Sequence, residues 1–93
     1  LMSQVADSLL GVQGVEAAFV IAKDENGLTC ISARSAGKIN VQVICEKMGG
    51  GGHMTAAAMQ RAKTNIQDVR EELIQTLEQY WKEENDNESD TEE

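Results

Sequence analysis

Four consecutive glycines followed by a histidine, Gly49-Gly50-Gly51-Gly52-His53, are the segment best suited to chemistry. Glycines lack a Cβ, so their N–H groups can approach a ligand closely and cradle a phosphate or lie against a nucleobase. The segment is not a P-loop, because no Lys-Ser or Lys-Thr pair follows, and it lacks the GxGxxG spacing. The alternative is a helix C-cap extended into a linker, for which one glycine suffices. Each further glycine costs roughly 0.5 to 1 kcal/mol relative to alanine, so we favour ligand binding by Gly50, Gly51 and Gly52.

Two further side chains could serve the same site. His53 abuts the glycines, and its imidazole could hydrogen-bond a phosphate or stack on a base, although a ring that only bonds the backbone is an equally good interpretation. Arg34, in Ser32-Ala33-Arg34-Ser35, ends an apolar run and could project its guanidinium toward a phosphate or over an adenine. Without the glycines, a surface arginine would be the default interpretation. A single histidine makes neither a metal site nor a catalytic triad.

The charge of the chain is unevenly distributed. The 93 residues are 41% hydrophobic and 3% aromatic, which fits one small domain with an aliphatic core. The net charge of -8 argues against an anionic ligand, but seven of the 16 acidic residues lie in 83–93, which has no basic residue. The remaining nine acids are nearly balanced by 8 bases. We therefore predict a nearly neutral domain over residues 1–82 and an acidic, disordered tail over 83–93.

The chain has no targeting or membrane signal of its own. No apolar run approaches the ~18 to 20 residues that span a bilayer, and the first residues lack the pattern of a signal peptide. Leu1 in place of a methionine indicates a fragment of a longer protein. Cys30 and Cys45 are isolated and lack zinc-type spacing, which favours buried hydrophobes and leaves a disulfide open but unsupported.

The elements that must position these residues follow from periodicity. Val5, Leu9 and Leu10 predict a helix over 3–10 capped by Ser3. Strand-like runs at 15–22 and 28–33 flank Asn26-Gly27, which predicts an antiparallel hairpin with a type I′ turn.

The second half predicts further helices and one more strand. Asn40 should cap a helix with apolar residues at 41, 44, 45 and 48 that ends at the glycines. A short helical turn over 53–57 and a third strand near 58–62 should follow. Asn65 should cap the last helix, whose apolar stripe, including Tyr80 and Trp81, should belong to the core. The fold class is α+β: a single domain with a small mixed sheet, including a hairpin, packed against helices.

The order Ser32-Ala33-Arg34-Ser35, Gly37, Ile39-Asn40-Val41 and then Gly49 to His53 resembles the DHH-associated substrate-binding domain of DHH-type phosphoesterases. The likeness covers roughly residues 3–82 and is greatest to the membrane-anchored bacterial cyclic-di-AMP phosphodiesterases. The paired alanines after His53 are not followed by the glycine of the oligoribonuclease-like branch, which favours the cyclic-dinucleotide branch. Ala56 stands where that branch commonly has an asparagine.

The resemblance implies a division of labour. A separate DHH domain would hold two Mn2+ ions and hydrolyse the substrate, while this domain binds it through Arg34, Ser35, Gly50 to Gly52 and His53. The fragment alone would then need no cofactor and be inactive. The expected partners are a cyclic dinucleotide or short oligonucleotide and the parent's DHH domain. The resemblance also implies a cytoplasmic domain of a parent anchored in the bacterial membrane, with no membrane contact by the fragment.

Two other functions stay open. The same domain could serve an oligoribonuclease or a 3′-phosphoadenosine 5′-phosphate phosphatase. From a different class, the chain could be a non-catalytic dimerisation or regulatory module, and a homodimer is compatible with the sequence.

Overall fold

A computed structural model describes the backbone of residues 1–92 and the side chains of residues 1–86. Three helices and four strands follow one another along the chain. In order they are α1 (Met2–Leu10), β1 (Ala17–Lys23), β2 (Thr29–Ser35), α2 (Val41–Lys47), β3 (Gly51–Gly52), β4 (Ala56–Arg61) and α3 (Ile66–Glu92).

The four strands form one sheet in the order β1-β2-β4-β3. All three pairings are antiparallel, with Ile31 opposite both Ile21 and Met59 in the middle of the sheet. The α+β class is confirmed. The sheet is antiparallel throughout rather than mixed, because each strand pairs with its neighbour through a hairpin or an antiparallel return across the sheet.

The core lies on one face of the sheet. Side chains alternate between the faces of a strand, and the inward residues of β2 and β4 pack against α2 and α3. The largest fully buried side chains of this core are Ile31, Val41, Ile44, Met59 and Val69. Helix α1 covers β1 and β2 on the opposite face, where its Ala6 is fully buried. The molecule therefore has three layers.

The first hairpin turns through a wider loop than the predicted type I′ turn. Residues 24–28 connect Lys23 to Thr29, and Gly27 has φ +81° whereas Asn26 does not have a positive φ. The carboxylate of Asp24 accepts hydrogen bonds from the N–H groups of Asn26 and Leu28, at 2.9 and 3.0 Å. These bonds favour an Asp-centred turn with one left-handed glycine over the two-residue turn.

The segment after the glycines is a hairpin, not the predicted helical turn. Gly51 and Gly52 pair with Ala58 and Ala57, so two of the predicted loop glycines are in a strand. The N–H of His53 donates to the carbonyl of Ala56 at 2.7 Å and closes the turn. The third sequence-predicted strand is β4 and begins at Ala56 rather than near Ala58.

Asparagine caps begin two helices as predicted. The side chain of Asn40 accepts from the N–H groups of Gln42 and Val43, and that of Asn65 accepts from Asp68. The predicted Ser3 cap is wrong: Ser3 lies inside α1, whose N-cap is Leu1 without a side-chain hydrogen bond.

Helix α3 divides the two aromatic residues that were predicted in the core. Tyr80 is buried, and its hydroxyl accepts from the N–H of Asn40 at 3.0 Å. Trp81 is 59% exposed, because the adjacent position on a helix points about 100° away. The prediction for Trp81 is therefore wrong.

Helix α3 continues past the predicted domain boundary at residue 82. Glu83 is helical, and its carboxylate accepts from the ammonium of Lys47 at 2.6 Å, which ties this turn to α2. Tail disorder is therefore not observed at the start of the acidic segment. Residue 93 and the side chains of 87–92 lie outside the described residues.

Both cysteines are buried and free, as the sequence favoured. Burial raises the pKa of the Cys45 thiol to about 11. Within the described part of the chain, no helix combines the length and apolarity that crossing a bilayer requires.

Candidate functional site

Arg34 lies near the end of β2 and points to the face covered by α1. Its Nε donates to Oδ1 of Asp7 in α1 at 2.9 Å, and its Nη1 donates to the carbonyl of Ala33 at 2.9 Å. The side chain is 20% exposed. Two contacts thus fix the guanidinium while part of it faces solvent, which is the arrangement that recognition of an anion requires.

Ser35 has a local partner for its hydroxyl. Its Oγ accepts from the N–H of Gly37 at 3.0 Å, and the residue is buried at the end of β2. The N–H of Ser35 donates to the carbonyl of Thr55 at 3.0 Å. These bonds join the end of β2 to the turn between β3 and β4, and contact of Ser35 with a ligand stays a prediction.

The glycines begin with the C-terminal cap of α2. The N–H groups of Gly49 and Gly50 donate to the carbonyls of Glu46 and Cys45 at 3.1 and 2.7 Å. With φ +89° at Gly49, this is the Schellman pattern of a helix end. Capping of α2 explains Gly49, in agreement with the alternative interpretation of the glycines as a helix C-cap. Gly50, Gly51 and Gly52 need another explanation.

Two of these three glycines are required by close packing. A Cβ at Gly50 would overlap the carbonyl oxygen of Ala58 and lie 2.8 Å from Cα of Met59. A Cβ at Gly52 would lie 2.5 Å from Cα of Ala57, and its φ of +143° also favours glycine. These glycines let β3 approach β4 closely.

Gly51 differs from its neighbours because it faces away from the core. A Cβ at Gly51 would meet nothing within 4 Å. Gly51 lies opposite Ala58 of β4, which is exposed. Ala56, two residues before Ala58 in β4, lies directly opposite Arg34 of β2. A low surface, no higher than a methyl group, therefore lies beside Arg34. It consists of Gly51, Ala56 and Ala58, and we call it the alanine shelf.

His53 lies at one end of the alanine shelf. It is exposed, and its N–H donates to the carbonyl of Ala56, the residue that lies directly opposite Arg34.

 The pairing of His53 with Ala56, and of Ala56 with Arg34, therefore places the turn and the arginine at the same end of the sheet. Three of the residues predicted for the site are thus placed: Arg34 and Gly51 lie on one face of the sheet, and His53 lies in the turn at the end of the sheet where Arg34 is.

Away from His53, the same face of the sheet continues into a shallow groove. The groove has a volume of about 540 Å³ and lies between the N-terminal end of α1 and β4. Met2, Ser32, Ala58 and Gln60 are among its lining residues. Since α1 covers only β1 and β2, this half of the face is open to a ligand or a partner.

Another groove, of about 990 Å³, lies between β1 and α3 and contains none of the predicted site residues. Phe19, Leu77 and Trp81 contribute its apolar wall. Charged residues of α3, among them Glu78 and Lys82, also line this groove.

Sequence reasoning missed two charged residues near the site. Asp7 lies 27 positions before Arg34, and no local pattern indicates that the two side chains meet. Arg61 is the second: it pairs with both carboxylate oxygens of Glu72 and donates to the carbonyl of Met48 at 2.7 Å. Arg61 thereby holds the end of α2 immediately before the glycines.

The described side chains include no group of three or more His, Cys, Asp or Glu residues placed to hold a metal ion. The groups around Arg34 and His53 are a guanidinium, the carboxylate of Asp7 that is paired with it, one imidazole and backbone N–H groups, a set that suits an anion better than Mn2+. The residues described around Arg34 therefore do not suit the manganese ions that the resemblance places in a separate DHH domain, and their arrangement is suited to contact with an anion.

Together, the fold and the site define a small α+β module that holds a partly exposed arginine near the end of its sheet. Residues 1–83 match the DHHA1 domain family. The chain is 48% identical over 82 residues to the cyclic-di-AMP phosphodiesterase PdeA of Listeria monocytogenes serotype 1/2a (strain 10403S), covering 88% of this chain and 12% of that protein. It is 43% identical over 81 residues to the cyclic-di-AMP phosphodiesterase GdpP of Bacillus subtilis (strain 168), covering 87% of this chain and 12% of that protein.

A further relative is a membrane protein-large ribosomal subunit bL9 fusion protein of Aster yellows witches'-broom phytoplasma (strain AYWB). It is 51% identical over 72 residues, which cover 77% of this chain and 8% of the relative. The chain belongs to the DHHA1 domain family. It spans about an eighth or less of the length of these curated relatives.

Proposed function

We propose that this chain is the substrate-binding domain of a phosphodiesterase that hydrolyses cyclic-di-AMP. The observation that carries the proposal is that Arg34 and the alanine shelf share one face of the sheet, with His53 in the adjoining turn, in a chain 48% identical to a protein named for this activity.

Each group has a distinct role in the proposal. Arg34 binds a phosphate of the ligand, because a guanidinium held by Asp7 and Ala33 still has N–H groups free to donate. His53 donates a hydrogen bond from the turn. The shelf accepts a flat nucleobase, because Gly51, Ala56 and Ala58 present nothing higher than a methyl group above the sheet.

The glycines and Ser35 complete the proposed site. The predicted wrapping of the ligand by glycine N–H groups falls to Gly51 and Gly52, because the N–H of Gly50 already donates to the carbonyl of Cys45. Gly50 and Gly52 are also needed for the close approach of β3 to β4. Ser35 supports the same edge by joining β2 to the turn.

The chain contributes binding and not hydrolysis in this proposal. The manganese-dependent reaction is assigned to a DHH domain of a longer parent protein, anchored in the bacterial membrane with this domain in the cytoplasm.

The experiment uses the full-length parent protein and the substitution His53→Ala. We expect KM for cyclic-di-AMP to rise about tenfold, the effect of losing one hydrogen bond to a charged group, with kcat changed much less. Gln79→Ala, an exposed change on α3, is the matched control and should leave both constants unchanged.

Unaltered KM and kcat in His53→Ala would contradict the proposed role of His53. Turnover of short oligoribonucleotides or of 3′-phosphoadenosine 5′-phosphate in preference to cyclic-di-AMP would contradict the proposed substrate. Loss of solution dimers without any change in KM on Arg34→Ala would instead favour a dimerisation module.

A further inference from the structure

The contact between Asp7 and Arg34 has consequences for which phosphates the site accepts. An arginine has five N–H donors. One of them, on Nε, is held by Asp7, and one on Nη1 is held by the carbonyl of Ala33. Three donors are left for a ligand, and the side chain is restrained at two points before the ligand arrives. Restraint of this kind lowers the entropic cost of binding.

Asp7 also changes the charge that a ligand meets. Its carboxylate neutralises the guanidinium, and its side chain is 62% exposed, so it lies at the rim of the site rather than within the protein. A phosphodiester carries one negative charge, whereas a terminal phosphate monoester carries about -1.5 to -2 at pH 7. Asp7 would repel the second charge of the monoester.

We infer that Asp7 is a positioning and specificity-determining residue, which orients Arg34 and makes the site prefer phosphodiesters over phosphate monoesters. The inference rests on the proposed function. This role of Asp7 explains why α1 places an acidic side chain against Arg34 although it contributes no residue to the alanine shelf.

Two substitutions separate the two effects in the full-length parent protein. Asp7→Asn keeps an oxygen that can accept from Nε but removes the charge. Asp7→Ala removes both. Glu16→Gln, which makes the same change of net charge at an exposed acid outside the site, is the matched control.

The probes are cyclic-di-AMP, which has two phosphodiesters, and its linear dinucleotide with a 5′-terminal phosphate, used as a competitive inhibitor. In Asp7→Asn we expect the ratio of the inhibitor's Ki to the KM for cyclic-di-AMP to fall about three- to tenfold, as expected for removal of one like charge near the protein surface. In Asp7→Ala we expect KM to rise by a similar factor with kcat unchanged. This rise should disappear when Arg34→Ala is already present, because Asp7 acts through Arg34.

A ratio in Asp7→Asn within twofold of that in Glu16→Gln overturns the specificity role. An unchanged KM in Asp7→Ala, or an equal rise in the Arg34→Ala background, overturns the positioning role. In both cases the wild-type protein still hydrolyses cyclic-di-AMP, so the proposed function stands. Absence of turnover by the wild-type protein overturns the proposed function and this inference together.

Discussion

Adjacent glycines should respond in opposite ways to the same added methyl group. Gly50→Ala places a Cβ against the backbone of β4, 2.8 Å from Cα of Met59, whereas Gly51→Ala places it in open space. Overpacking typically costs about 1 to 3 kcal/mol. The upper end applies to Gly50, because the atoms in the way are backbone atoms that cannot rotate aside.

These energies translate into melting temperatures. A domain of this size loses about 4 to 8 °C per kcal/mol, so Gly50→Ala should lower Tm by about 10 to 25 °C. Gly51→Ala should leave Tm unchanged or raise it by a few degrees, because alanine restricts the unfolded chain by about 0.4 to 1 kcal/mol.

Thermal unfolding of the 93-residue chain, followed by circular dichroism, measures both variants. In the full-length parent protein, Gly51→Ala should also raise KM for cyclic-di-AMP, since the added methyl group fills the lowest point of the alanine shelf, where Gly51 has no Cβ. Equal losses of Tm in the two variants, or an unchanged Tm in Gly50→Ala, would refute the assignment of Gly50 to packing and Gly51 to the open face.

Three further predictions concern charge, reactivity and capping. Arg61 lowers the pKa of Glu72, so their pair stabilises the fold above the unfolded-state value of about 4.3 and this contribution is lost as pH falls through the lower folded-state value; Glu72→Gln should cost up to about 1 kcal/mol at pH 7 and progressively less as pH falls below the unfolded-state value, as measured by urea unfolding. The pKa of about 11 for Cys45 leaves about one thiol in a thousand ionised at pH 8, so Cys45 should react with a disulfide reagent only as the chain unfolds; rapid reaction in the native state would contradict its burial. Asn40→Ala should cost about 1 kcal/mol, because two N–H groups of α2 lose their acceptor, and an unchanged Tm would show that the cap is dispensable.

Local signals in the sequence predicted most of the helices and the first hairpin. Asn40 and Asn65 precede apolar periodic segments, and a cap needs only its own helix to form. The α+β class followed from these segments together. The turn at Asn26-Gly27 was placed correctly but given the wrong type, because the side chain of Asp24, three residues before Gly27, competes for the backbone N–H groups.

Long-range packing explains what the sequence did not predict. Gly51 and Gly52 are in a strand only because β4 returns alongside them, which no local preference of glycine indicates. The pairing of Asp7 with Arg34 depends on α1 crossing the sheet. Trp81 was assigned to the core from the helical stripe, but α2 and the sheet cover only the side of α3 on which Tyr80 lies.

The central claim is that Arg34 binds the phosphate of the substrate. The direct measurement is the KM for cyclic-di-AMP of the full-length parent protein with Arg34→Ala, beside the wild-type protein and with folding checked by Tm. Loss of a charge-assisted hydrogen bond predicts a KM at least about tenfold higher, with kcat changed by much less. A KM equal to that of the wild-type protein, in a variant that folds normally, would contradict the account.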